Sequence, residues 1–300
     1  MIQAGRNSRT IYRAKTKPGF NMTEHDRPVS RPPDEVQRYY AESPEESRLM
    51  SGRSRLEFER TKDVLARVLP RPPCRVVDVG GAAGAYSCWL AERDYEVHLV
   101  DASPRLVEAA RRESVRATKP LSSISLSDAR ELPHSDASAG AVLVMGPLYH
   151  LPEADDRRLA LREAMRVLKV GGIVVTAAIS RYASALDGMA RGLSNDPAFR
   201  AIRDRDLRDG QHRNDTGKAD YFTTAYFHRP EDLENEMVSA GLQEIVILGV
   251  EGPGWLLPDF DIRWEDADDR KDLMELARKL EGESSIIGVS AHFLGIGRKR

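Results

Sequence analysis

The segment Val76-Val-Asp-Val-Gly-Gly-Ala-Ala-Gly84 decides the fold, because it joins an apolar strand to a helix through a glycine-rich turn. Its strand, Arg75–Gly80, is a short apolar run closed by glycine, as buried strands commonly are. A helical segment around Tyr86–Arg93 follows, and then a second apolar run, Val97–Asp101. This order of strand, helix and strand predicts two parallel strands joined by a crossover helix.

Helical and strand-like segments keep alternating after this unit. They are a helix at Pro104–Ala117, a strand at Ile124–Leu126, a strand at Ala141–Met145, a helix at Asp155–Leu168, a turn at 169–172 and a strand at Ile173–Ala178. The alternation then breaks into a polar stretch, which we interpret as an insertion over the sheet, with helical patches at Tyr182–Leu193 and Pro197–Asp206. The chain closes with a helix at Pro230–Ala240, a strand at Gln243–Val250, a helix at Asp266–Glu281 and an apolar run at Ile286–Ile296.

This pattern predicts an α/β fold in which a doubly wound, mostly parallel sheet of seven strands carries helices on both faces. An N-terminal helical cap precedes the sheet, and the insertion follows its fifth strand. We expect a single domain at 34–300. Residues 1–33 are rich in arginine and proline with little apolar periodicity, and we expect them to be a disordered basic tail.

Composition excludes several classes of protein. The 45 lysine and arginine residues are balanced by 47 acidic residues, so a net charge of −2 gives no global field for binding a polyanion. The two cysteines, Cys74 and Cys88, suggest neither a disulfide framework nor a zinc site, and no His, Asp and Glu set has the spacing of metal ligands. No apolar run approaches the roughly 20 residues that span a bilayer. We therefore expect a soluble, cytoplasmic protein with no metal and with neither a nucleic-acid nor a membrane partner.

The glycine-rich turn predicts a ligand site at the carboxyl edge of the sheet. Small residues let a ligand approach the backbone, and the following helix offers unpaired N–H groups. Asp78 stands just before the turn, where a carboxylate argues against a phosphate and for a cationic or hydroxyl-rich ligand.

Asp78, Gly80, Ala82 and Gly84 resemble motif I of class I S-adenosylmethionine-dependent methyltransferases, written Asp/Glu-x-Gly-x-Gly-x-Gly. Ala82 replaces the middle glycine. The replacement is mild if φ of Ala82 is negative, but a positive φ would narrow the cleft. The resemblance is to the small-molecule type, and it implies S-adenosylmethionine as cofactor and a small molecule as acceptor.

Three further segments occur where that family places its cofactor contacts. The resemblance implies that Asp101 accepts the ribose hydroxyls, although a carboxylate there could instead cap the helix that begins at Pro104. It also implies that Asp128 and the backbone of Ala129 meet the adenine, with a surface aspartate as the alternative. Arg60, on the helix predicted to lie over the cofactor, is assigned to the methionine carboxylate or, equally, to a solvated helix face. The complete set of implied cofactor contacts is Asp78, Gly80, Gly81, Ala82, Gly84, Asp101, Ala102, Asp128, Ala129, Met145, Gly146 and Arg60.

Tyr149 and His150 follow the fourth strand and are the candidate catalytic residues. His150 has an ordinary pKa near 6.5, which suits a general base, and the ring of Tyr149 could orient the acceptor or face the sulfonium. Both could instead only pack the loop over the adenosine. The aromatic segment Tyr221–His228 could line an acceptor pocket, or it could pack on the sheet.

The resemblance divides the domain into a helical cap at 34–70, a cofactor-binding core at 74–180, a substrate-side insertion at 181–229 and closing elements at 230–300. Three other functions stay open. A nicotinamide dehydrogenase shares the fold, but Gly80–Ala85 does not match Gly-x-Gly-x-x-Gly. A non-catalytic protein that binds S-adenosylmethionine would keep the same binding residues. An RNA methyltransferase could use the basic tail. The oligomeric state is left open.

Overall fold

Seven strands form the central sheet in a computed structural model that describes residues 48–300. In sheet order they are β3 (Ser123–Leu126), β2 (Glu96–Asp101), β1 (Arg75–Val79), β4 (Ala139–Val144), β5 (Leu168–Ile179), β9 (His292–Arg298) and β8 (Gln243–Gly249). Strands β1 to β5 pair in parallel, whereas β9 is antiparallel to both of its neighbours. The order reverses between β1 and β4, where ligands bind in open α/β sheets. The predicted fold class is confirmed.

Helices cover both faces of this sheet. In chain order they are α1 (Ser54–Val68), α2 (Ala85–Ala91), α3 (Pro104–Arg116), α4 (Ala154–Val167), α5 (Ala183–Ala190), α6 (Pro197–Asp209), α7 (Pro230–Ser239), α8 (Phe260–Glu265) and α9 (Ala267–Leu280). Within the described part of the chain, no helix combines the length and the apolar character needed to cross a bilayer.

The side chains of β1 point alternately into two apolar cores, one on each face of the sheet. Val76 faces a core that also contains Leu65 of α1 and Leu90 of α2. Val77 faces the opposite core, with Leu161 of α4. Because successive side chains of a strand point to opposite faces, Asp78 lies on the same side as α2, at the base of the glycine-rich turn.

The insertion contains α5, α6 and an antiparallel pair of short strands, β6 (Gln211–His212) and β7 (Ala225–Tyr226). The sequence did not predict α8. The tail at 1–33 and the first part of the cap, 34–47, lie outside the described residues. The domain boundaries therefore stay predictions.

Two element boundaries differ from the predicted ones. The predicted turn at 169–172 belongs to β5, because the backbone N–H of Gly171 donates to Lys299 at 2.7 Å and that of Lys299 donates to Gly172 at 3.1 Å. A register shift opposite Ala139–Ala141 accommodates the added length. The strand predicted within Ile286–Ile296 starts only at β9, since residues 287–289 form a 3-10 turn. An apolar run alone does not distinguish the two conformations.

Candidate functional site

A cavity of about 1000 Å³ opens at the sheet edge where the parallel strands end. Every predicted site residue lies in its wall except Arg60. The fold thus brings together side chains that are separated by up to 72 positions in the sequence, from Asp78 to His150. Loops after β1, β2, β3 and β4 supply them, as expected for the carboxyl edge of a doubly wound sheet.

The turn after β1 depends on glycine at two positions. The backbone N–H groups of Gly80 and Gly81 both donate to Val100, at 2.7 and 3.2 Å, which holds the turn against β2. Gly80 has φ +71°, and a Cβ there would lie 2.5 Å from Cδ of Pro147. A Cβ at Gly81 would lie 2.8 Å from Cγ of Leu99. No other residue type fits this close approach of two loops.

Ala82 adopts a positive φ of +48°, which answers the question that the sequence left open. The replacement of glycine is therefore strained rather than mild, at about 1 kcal/mol for a left-handed alanine. The backbone N–H of Ala82 donates to Oδ2 of Asp101 at 2.9 Å and so contributes to holding the turn in this conformation.

Asp78 is buried at the base of the turn. Its Oδ2 accepts from the Ser87 hydroxyl at 2.7 Å, whereas its Oδ1 has no hydrogen-bond partner among the described residues. Burial raises the pKa of the Asp78 carboxyl to about 6, and the negative charge of Asp101 adds to the effect. A buried carboxylate oxygen without a donor is unfavourable, so a cationic or hydrogen-bond-donating ligand would stabilise this site.

Asp101 ends β2 with its carboxylate fixed by two backbone donors. Oδ1 accepts from the N–H of Ser103 at 2.8 Å and Oδ2 from that of Ala82 at 2.9 Å. A carboxylate has about four acceptor sites, and Asp101 presents its own in the cavity wall, where hydroxyl groups of a ligand could donate to it. Ser103, not Asp101, caps α3, because its side chain accepts from the N–H of Leu106 at 3.4 Å.

Asp128 follows β3 and is oriented by an arginine that the sequence analysis did not single out. Nε and Nη2 of Arg130 donate to the two carboxylate oxygens, each at 2.8 Å, and Arg130 also contacts Asp156 at 3.0 Å. The arginine is 3% exposed, so a buried charge pair orients Asp128. Asp128 and Ala129 both lie in the cavity wall.

Tyr149 and His150 lie on a 3-10 turn, Pro147–His150, directly after β4. The Tyr149 hydroxyl donates to the carbonyl of Met145 at 3.3 Å, and its ring meets the His150 ring edge-on at 4.6 Å. Burial lowers the pKa of His150 to about 3, so the imidazole is neutral at pH 7 and a weak proton acceptor. This environment favours the packing alternative for His150 over the role of general base.

The aromatic segment Tyr221–His228 is absent from the cavity wall. Ala225 and Phe227 pack with Ile179 at the end of β5, and Phe222 packs against the same group. These contacts support the alternative in which the segment packs on the sheet. They do not support the alternative in which it lines an acceptor pocket.

Arg60 also lies outside the cavity, which corrects its assignment to the methionine carboxylate. Its side chain is 0% exposed and is paired with Asp63 and with Glu281, whose Oε2 lies 2.5 Å from Nη2. Its Nε donates to the carbonyl of Val250 at 3.2 Å. The residues of α1 that do face the cavity are Glu57 and Thr61, which are four apart and so share a helix face.

Sequence reasoning missed a charged cluster at the other end of the cavity, formed by Arg48, Glu57, Glu251 and His292. Arg48 and Glu57 form an ion pair at 2.7 Å, and Nδ1 of His292 lies 2.6 Å from Oε1 of Glu251. Three of these residues could present ligand atoms to a cation within 4.8 Å of one another. Because the guanidinium and the imidazole already balance the two carboxylates, we interpret the group as an ion-pair cluster. Its members are too far apart in the sequence for a search by spacing to find.

Comparison with known proteins finds similarity over the part of the chain that contains most of this site. Residues 77–176 match the family model described as a methyltransferase domain. This third of the chain is therefore similar to a methyltransferase domain. The cofactor of this domain is S-adenosylmethionine, as predicted.

Individual relatives match this methyltransferase domain over part of their length. An uncharacterized methyltransferase of Mycobacterium tuberculosis (strain H37Rv) is 33% identical over 105 residues, which are 35% of this chain and 40% of that protein. The 27-O-demethylrifamycin SV methyltransferase of Amycolatopsis mediterranei is 34% identical over 116 residues, 38% of this chain and 42% of the relative. The chain thus matches less than half of the length of these curated relatives.

A solved structure extends the similarity of fold beyond the matched domain. The methyltransferase from Thermotoga maritima, described as a possible histamine N-methyltransferase, superposes with a TM-score of 0.53 at 20% identity. It covers 89% of this chain and 99% of its own.

The described residues fit the methyltransferase cofactor on three independent grounds. Oδ1 of Asp78 has no hydrogen-bond partner among the described residues and suits a positively charged group, and Asp101 presents a carboxylate in the cavity wall that can accept from hydroxyl groups. Gly80 and Gly81 form a cradle that a Cβ would fill. The individual contacts of these residues stay predictions.

Proposed function

We propose that the protein transfers the methyl group of S-adenosylmethionine to a small-molecule acceptor. The observation that carries this proposal is the extent of the cavity. It runs from the cofactor residues after β1 to β4 on to Ala177, His292 and Leu294 at the edge formed by β5 and β9. Its volume is at the upper end of the range for small-molecule sites, which leaves space for a second ligand beside the cofactor.

The residues of the chain have two tasks in this reaction. When bound, the cofactor would supply an electrophilic methyl group on a positively charged sulfur. Asp101 and the glycine-rich turn fix the cofactor, which converts the encounter with the acceptor into an oriented one. The loop Met145–His150 covers the site and excludes water from it.

An acceptor that reacts through oxygen is favoured over nitrogen or carbon. The relative from Amycolatopsis is named for an O-demethyl compound, and the far wall of the cavity is apolar at Ala177, Val250 and Leu294. A net charge of −2 speaks against RNA as the acceptor, since RNA binding relies on positive charge.

A label-transfer assay tests this proposal. Purified protein is incubated with S-adenosylmethionine labelled on the methyl group and, separately, with a panel of hydroxylated small molecules or total RNA. We expect label in at least one small molecule and none in RNA, with loss of at least tenfold in rate for Asp101→Ala. Label in RNA alone, or no transfer to any acceptor while the cofactor binds, would contradict small-molecule methylation.

A further inference from the structure

The half of the cavity away from the cofactor contains a carboxylate–imidazole pair. Glu251 follows β8 and His292 begins β9, and because these strands are antiparallel the two residues lie at the same edge of the sheet. Oε1 of Glu251 lies 2.6 Å from Nδ1 of His292, and Oε2 accepts from the backbone N–H of His292 at 3.0 Å. Two contacts to one carboxylate fix the position and the rotation of the imidazole ring.

This fixation leaves Nε2 of His292 available to a ligand. Among residues 48–300, Nε2 has no hydrogen-bond partner, and the side chain is 23% exposed in the cavity wall. Glu251 behind it is 2% exposed and does not line the cavity. The buried carboxylate therefore orients a ring that is itself accessible, which is the arrangement used to hold a general base.

The surroundings of His292 suit an acceptor with an apolar skeleton. Val250, Leu294 and Ala177 supply the nearby apolar part of the wall, on the sheet edge beside the cofactor residues. Glu57 of α1 lies 3.8 Å from Nδ1 and is itself paired with Arg48. Among the described residues that line the cavity, no other candidate base combines an accessible nitrogen with an orienting carboxylate.

We propose that Nε2 of His292 accepts the proton of a hydroxyl-bearing acceptor, and that Glu251 is the residue that positions the imidazole. This inference rests on the methyl transfer proposed above and specifies the acceptor side of it. The acceptor oxygen forms a bond to the methyl carbon, the bond between carbon and sulfur breaks with its electron pair passing to sulfur, and the hydroxyl proton passes to His292. Deprotonating a neutral hydroxyl in this way makes the oxygen a competent nucleophile.

Charge in the cavity regulates this proton acceptor. Burial lowers the pKa of His292, but Glu57 and Glu251 outweigh burial and the smaller opposing effect of Arg48 and raise that pKa to about 9, so the ring is largely protonated in the free protein at pH 7. A sulfonium brought into the same cavity repels the imidazolium and lowers that pKa. For one charge at about 8 Å and an effective dielectric constant of about 20, the lowering is on the order of one pKa unit. At pH 7 the neutral, proton-accepting fraction of the ring then rises about tenfold, from about 1% to about 10%, when the methyl donor is present.

Titration of the histidines by NMR tests the inference without any acceptor. S-adenosylmethionine and S-adenosylhomocysteine form a matched pair, because they differ at the sulfur by a methyl group and one positive charge. We expect the pKa of His292 to be lower by about one unit in the complex with S-adenosylmethionine than in that with S-adenosylhomocysteine. The resonance of His212, which is buried within the insertion and does not line the cavity, is the internal control and should not differ between the two complexes.

Two variants assign and check the signal. His292→Gln removes the resonance that is followed, and Glu251→Gln should lower the pKa of His292 in every state because a stabilising negative charge is lost. Identical titration of His292 in the two complexes, with both ligands shown by calorimetry to bind, would overturn the inference and leave the proposed function intact. Failure of both ligands to bind would overturn the proposed function and this inference with it.

Discussion

At Asp78, the requirement of ligand binding opposes the stability of the free protein. Its pKa of about 6 in the folded chain exceeds the ordinary value of 3.8, so ionisation of Asp78 destabilises the free fold. This destabilisation is absent below pH 3.8, grows between pH 3.8 and 6, and is complete above pH 6. A cation in the site offsets it, which explains how a buried carboxylate can be retained for ligand binding.

The substitution Asp78→Asn separates the two effects. We expect the free protein at pH 7 to gain between about 1 and 3 kcal/mol in free energy of unfolding, and its affinity for S-adenosylmethionine to fall about 10- to 100-fold. For the wild type, the affinity should weaken as pH falls below 6, where Asp78 becomes protonated. Urea unfolding and calorimetric titration measure the two quantities. Unchanged affinity for the cofactor in Asp78→Asn would show that this carboxylate does not face it.

A substitution at Gly80 tests whether the close approach of the glycine-rich turn to Pro147 is needed for cofactor binding. In Gly80→Ala the new Cβ meets Pro147 at 2.5 Å, and it adds left-handed strain of about 1 to 2 kcal/mol. Gly171→Ala is the matched control, because Gly171 has a similar φ of +78° and nothing within 4 Å of its Cβ position. We expect both variants to lose stability and only Gly80→Ala to lose affinity for S-adenosylmethionine, by at least tenfold in calorimetry. Equal affinities in the two variants would contradict the assigned role of the turn.

At the scale of elements, Arg60 connects α1 to the segments that close the fold. It joins Glu281, which follows α9, and the carbonyl of Val250, which follows β8. Arg67 contacts the same Glu281 at 2.7 Å but is 30% exposed. The two arginines therefore offer a comparison between a buried and a solvated contact to one carboxylate.

Arg60→Met should lower the free energy of unfolding by about 1 to 3 kcal/mol, because the buried carbonyl of Val250 loses its donor and Glu281 keeps only Arg67 as a partner among the described residues. Arg67→Met should lower it by less than about 1 kcal/mol, as solvated ion pairs do. Affinity for S-adenosylmethionine should stay within about threefold of the wild type in both variants. A selective loss of cofactor affinity in Arg60→Met would restore the role that the sequence had suggested for this residue.

At the scale of the whole molecule, the sequence predicted the sheet because parallel strands leave an unambiguous pattern. Strand β4 is apolar throughout and β1 is apolar except at Arg75 and Asp78, and crossover helices separate such strands along the chain. The errors fell at β5 and β9. There an irregular pairing and a 3-10 turn replace the turn and the longer strand that local composition suggested.

The cavity wall formed after β1 to β4 was predictable from sequence, and the wall beside α1, β8 and β9 was not. Asp78, Asp101 and Asp128 each follow or end a strand, so the topology alone brings them to one edge. Glu57, Glu251 and His292 come together only through the packing of α1 and the antiparallel pair β8 and β9. The spacing of residues in the sequence does not indicate that such distant segments come together in the fold.

Calorimetric titration of the purified protein with S-adenosylmethionine, S-adenosylhomocysteine and NADH, side by side, tests the central claim most directly. The account predicts that both adenosyl ligands bind one site per chain and that NADH does not bind. It also predicts that Asp101→Ala weakens both adenosyl ligands by at least tenfold, since the variant loses the acceptors for the ribose hydroxyls. Binding of NADH alone, or of none of the three ligands, would contradict it.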